Sequence, residues 1–152
     1  MMMLSLNLVL LLMLQTPASG HQIVVGLRNG QQLLVQDPEF SGFIEGHNAE
    51  ALLIYREGPI HGEMPLKNVS RIDLGPYEKH EPYLLMTVTL RNGQTLQVES
   101  ERHAFVSVRG KTELGPVMIK HPDPISAPVK LRTKPANRKK DLTIQYLEIP
   151  AS

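Results

Sequence analysis

The chain has 152 residues, 41% of them apolar, only 5% aromatic, with no Trp and a formal net charge of +1. That is enough apolar material for one ordinary core or two very small ones, and too few rings for large stacking platforms. Having no cysteine, the chain excludes disulfides, iron–sulfur clusters, thiolate zinc sites and a Cys nucleophile.

Residues 1–20 read MMMLSLNLVLLLMLQTPASG, with an apolar stretch from Leu4 to Leu14 broken only by Ser5 and Asn7. Crossing a bilayer takes about 20 apolar residues. This run instead has the length of a signal-peptide core, and small residues follow it, although no Lys or Arg precedes it. The expectation is an exported protein, periplasmic or secreted. Cleavage after Gly20 puts small residues, Ala18 and Gly20, at the two recognition positions and leaves His21 as the mature N-terminus.

Next comes GLRNGQQLLV from Gly26, and nearly the same phrase, TLRNGQTLQV, recurs from Thr89. Asn-Gly between alternating apolar residues marks a β-hairpin, and phase fixes the turn. A two-residue loop at Asn92-Gly93 would put the apolar sets of the two strands on opposite faces. A three-residue loop, Arg91-Asn92-Gly93, pairs Val88 with Leu96 and gathers both sets on one face. Arg28-Asn29-Gly30 does the same for Val25 with Leu33 and Ile23 with Val35. Both turns are therefore predicted to be type I turns with a bulge glycine in the left-handed region at Gly30 and Gly93.

The likeness continues beyond the hairpins. EALLIYREGPI from Glu50 and HAFVSVRGKTELGPV from His103 each carry a β-rich run to a Gly-Pro turn. MPLKNVSRIDL and MIKHPDPISAPVKL follow them. Each half thus orders hairpin, third strand, turn, fourth strand, a tight one-turn segment and a fifth strand. No stretch has helical periodicity, so the fold class is all-β. The linker is placed at about Gly75 to Pro82, and DLTIQYLEI near the end reads as one more strand.

The pattern LRNGQxLxV followed by GPI…MPLKNVSRIDL resembles the small SH3-like or Sm-like barrels found singly or in tandem in many bacterial proteins. The resemblance implies two tandem five-stranded barrels, at residues 21–75 and 83–131, then a basic tail with a terminal strand at 132–152. It implies architecture only, because this fold hosts unrelated functions.

Charge is unevenly spread. His21 to Val129 holds ten Lys/Arg against thirteen Asp/Glu, whereas KLRTKPANRKK supplies Lys130, Arg132, Lys134, Arg138, Lys139 and Lys140 with no acidic residue. Those six form a candidate anion site for phosphates of nucleic acid or lipid headgroups. Export and the lack of interleaved aromatics weigh against nucleic acid and favour a solvated connection.

Other candidates are few. A mature N-terminal His21 offers an amine and an imidazole to copper or zinc if a second histidine joins it. His47, His61, His80, His103 and His121 are the others, and none stands at metal-ligand spacing. Glu99, Glu101 and His103 alternate along ESERH, as acid–base partners or as a solvent-facing strand would; the latter is the simpler reading. Asn68 begins an Asn-Val-Ser glycosylation triplet within a tight segment. No serine-nucleophile elbow and no phosphate-cradling glycine loop occurs. The expected function is a non-enzymatic, cofactor-free interaction or assembly module of the cell envelope. Its partner would be a protein, taken by strand-edge addition or as a second copy of the chain. The alternatives are a metal-binding protein using His21 and, if the chain stays inside the cell, an Sm-like nucleic-acid binder.

Overall fold

The computed structural model describes residues 21–75, 83–101, 105–121 and 144–151. They form eleven strands: β1 (Gln22–Leu27), β2 (Gln32–Gly42), β3 (Ile44–His47), β4 (Leu52–Glu57), β5 (Ile60–Pro65), β6 (Val69–Leu74), β7 (Leu85–Leu90), β8 (Thr95–Ser100), β9 (Val106–Thr112), β10 (Gly115–His121) and β11 (Ile144–Glu148). Single 3₁₀ turns occupy Asn48–Glu50 and Leu66–Asn68, and there is no α-helix among the described residues. The fold is all-β.

The repeated phrase builds the same corner twice. Ile23 faces Val35 and Val25 faces Leu33 across β1 and β2; Val88 faces Leu96 across β7 and β8. Gly30 and Gly93 lie at φ 92° and 91°. Their N–H groups donate to the Leu27 and Leu90 carbonyls, both at 2.9 Å. The asparagine of each turn has a role of its own, since Asn29 Oδ1 accepts from the Gln31 N–H and Asn92 Oδ1 from the Gln94 N–H. Such side-chain bonds two residues onward lock a turn locally. A Cβ on Gly93 would meet nothing within 4 Å, so only its backbone conformation opposes substitution. Gly93→Val should therefore cost about 1–2 kcal/mol, the left-handed penalty alone. Urea midpoints of the variant and the unaltered protein check this, and coinciding midpoints would mean the turn carries no strain.

The expectation of two separate five-stranded barrels is corrected by the strand order. Eight strands close one ring, β1–β11–β6–β7–β8–β4–β3–β2 and back to β1, with β5 paired to β4 off this path and the β9–β10 hairpin paired to β2. Closing each half by itself would need its fifth strand to return to its first. Instead β6 pairs with β7, the first strand of the second half, and β11 pairs with β1. Likewise β2 takes β9, and β4 takes β8. The halves have exchanged strands.

The exchange is reciprocal, about a pseudo-two-fold axis between β6 and β11. Ile144 faces Leu27 just as Val69 faces Leu90, and a register shift interrupts each pair of strands after that contact. Lys111 faces Gln36 as Arg56 faces Glu99. The cause lies in connectivity. β6 and β7 are joined by the stretch read as a linker, and they pair directly, Leu74 opposite Met86. Pairing with the next strand along the chain closes a shorter loop than returning to β1. That leaves a place beside β1, which β11 fills. The terminal strand therefore completes the ring between β1 and β6 and does not decorate an edge.

One core results. Val25, Val35, Phe43, Ile44, Leu53 and Ile72 from the first half and Val88, Val106, Val108, Ile144 and Leu147 from the remainder all lie in a single buried cluster. Gly26 is required where β11 docks, because a Cβ there would overlap the Tyr146 ring. The Arg71 guanidinium lies over that ring, 4.0 Å from its centroid, a cation–π contact.

Candidate functional site

The carboxylates of ESERH do share a face, and each is already engaged. Arg56, cross-strand from Glu99, donates from Nη2 to its Oε1 at 3.0 Å and lies 3.6 Å from the centroid of the Tyr83 ring. Glu101 pairs with His61 of β5. His103 lies outside the described residues. The arrangement ties β8 to β4 and β5, as cross-strand charge pairs do.

His21 is exposed at the start of β1, and its carbonyl accepts the Asp37 N–H at 2.8 Å. Among the described residues no group of three His, Asp or Glu side chains converges on a point where a metal could sit. Asn68 ends the second 3₁₀ turn. The expected signal segment 1–20, His80, and the basic run Lys130 to Lys140 fall outside the described residues, as does most of the expected linker.

Two features escaped the sequence reading. The first is His121, the last residue of β10, which has no exposed surface. Its Nδ1 accepts the main-chain N–H of Ile144 at 3.1 Å, while Nε2 is buried with no partner among the described residues. Burial, with the nearby positive Arg28 adding to it, pushes the imidazole from 6.5 down to about 4. His121 thus pins the end of β10 to the start of β11. Its alternation with Val117 and Ile119 was the available signal, since the three share the inward face.

The second is the arginine of each repeated turn. Arg28 donates from Nη2 to the Leu74 carbonyl at 3.0 Å. Arg91 donates from Nε to the Lys67 carbonyl at 3.1 Å and from Nη2 to the Pro150 carbonyl at 3.2 Å. Each corner therefore grips main chain far away in sequence.

Two concavities remain. A broad cleft of about 980 Å³ runs over β3, β2, β9 and β10 and is lined by Glu39, Glu45, Arg109, Lys120, Phe105 and Met118 among others. Phe105 is 42% exposed and Met118 44%, high for large apolar side chains. Strand β10 beside it ends the sheet and pairs only with β9 among the described residues. A smaller cleft of about 200 Å³ lies at one end of the barrel, between the two 3₁₀ turns and the stretch after β11. No protein-family model, curated protein or solved structure matches the chain.

Proposed function

We propose that the protein is an exported, non-enzymatic interaction module that takes an extended, acidic segment of a partner protein as an added strand along β10. The carrying observation is that β10 pairs on one side only among the described residues, next to a cleft with exposed Phe105 and Met118. An open edge offers main-chain hydrogen bonds to an incoming strand, and alternate side chains then find the flanking surface. Export rests on the composition of the first twenty residues.

The chemistry of the segment follows from charge. The β9–β10 hairpin exposes Arg109, Lys111 and Lys120, none of them in an ion pair among the described residues. Acidic side chains on an added strand would lie beside Lys120 on β10, with Arg109 and Lys111 one strand farther in on β9. A second copy of β10 would instead bring like charges onto the same face, which destabilises cross-strand neighbours. A heterologous partner is favoured for that reason. Binding also suits the ESERH carboxylates better than acid–base catalysis does, because both are held in cross-strand pairs.

Hydrogen exchange provides the test. A short synthetic peptide alternating valine with glutamate should slow exchange of the outward amides of β10, with Lys120→Glu weakening the effect about tenfold, as loss and reversal of one charge contact would. The same exchange rates with and without the peptide would sink the proposal.

A further inference from the structure

We propose that the small cleft at the barrel end is a binding site for a small organic carboxylate with a short aliphatic body, its charge held by Arg91 and Lys67. No residue of β10 takes part, so the site stands apart from the strand-addition reading. Among the described residues the cleft is lined by His21, Lys67 and Arg91 and by no Asp or Glu. Neither Arg91 nor Lys67 makes an ion pair among the described residues.

Arg91 is nonetheless fixed. Its main-chain N–H donates to the Asn68 carbonyl at 3.0 Å, and its side chain to the Lys67 and Pro150 carbonyls. All these acceptors are neutral, so the guanidinium is held in place while its charge goes uncompensated. Two of its five N–H groups are used in those side-chain bonds. Those that remain, at Nη1 and the second hydrogen of Nη2, form the planar fork that carboxylates fit. A cation already immobilised by the main chain loses little further freedom when an anion arrives.

The other wall is apolar. Ile23, Leu66 and Ile149 line the cleft and are 3%, 1% and 6% exposed. An aliphatic body covers that wall, whereas a bare inorganic anion would turn unsatisfied oxygens against it. The volume suits a ligand of amino-acid size and excludes a folded partner.

The test is an NMR titration of the full chain with 3-methylbutanoate, alongside its neutral amide and inorganic phosphate. The carboxylate should move the amides of Lys67, Arg91 and Ile149 saturably, and the neutral amide should not. Arg91→Gln should weaken binding about tenfold or more, the loss of a charge-assisted pair. Lys67→Gln, which removes no structural side-chain bond, should weaken it in the same direction with its thermal midpoint unchanged. Non-saturable shifts, an equal response to the neutral amide, tighter binding of phosphate, or affinity unaltered in both variants would each overturn the assignment.

Discussion

Gly42→Ala should cost the protein about 3–5 kcal/mol, combining the backbone penalty with an overlap that cannot relax cheaply. Gly42 ends β2 at φ 113°. A Cβ there would overlap the Phe105 carbonyl oxygen and lie 2.9 Å from the Val106 Cα. That carbonyl accepts the N–H of Phe43 at 2.9 Å, and Phe43 is wholly buried. Any shift that makes room for the methyl group therefore disturbs the seam between β2 and β9 and the core beneath it. Gly58 is the matching control: its φ is 59° but a Cβ would meet nothing within 4 Å. Gly58→Ala should lose only about 1 kcal/mol. The comparison is read from urea midpoints, and equal losses at the two sites would show that the seam is not rigid.

Acid should loosen the fold through His121. Folded, the imidazole stays neutral down to about 4, held there by burial and secondarily by Arg28; unfolded, it takes up a proton below 6.5. Across that window the unfolded chain binds more protons. Stability present above pH 6.5 is thus lost as pH falls toward 4, by up to about 3 kcal/mol. His121→Asn offers an oxygen near the place of Nδ1 for the Ile144 N–H and cannot titrate. It should be less stable than the unaltered protein at neutral pH, through lost packing, yet show a shallower decline on acidification. Urea midpoints measured at neutral pH and near pH 4.5 give both slopes, and parallel declines would remove His121 as the cause.

The two corners were legible in the sequence because Asn-Gly and the phase of Ile23, Val25, Leu33 and Val35 leave one loop length that keeps the apolar faces together. Phase says which face a residue occupies and is silent on which strand lies alongside. Each half therefore read as a barrel closing on itself, and only the pairing of β6 with β7 and β11 with β1 shows the exchange. Tyr146 and Ile144 read correctly as strand residues, but their place opposite Gly26 and Leu27 rests on contacts distant in sequence. The barrel-end cleft was harder still. Its residues come from around Ile23, Asn48, Leu66, Arg91 and Ile149, segments that no spacing rule connects. Arg91 read as part of a turn, and nothing local reports the carbonyls of Lys67 and Pro150 that hold its side chain.

Strand exchange also sets the order in which the molecule can be made. Gln32 and Tyr146 bond to each other from positions 114 apart in the chain, and neither half carries a full set of neighbours for its own ribbons. A nascent polypeptide emerging from the ribosome must hold β1 and β6 as unsealed seams until β11 arrives. Such non-local closure makes for slow folding and a long interval of vulnerability to association with other chains. Truncation before Ile144 would make that interval permanent.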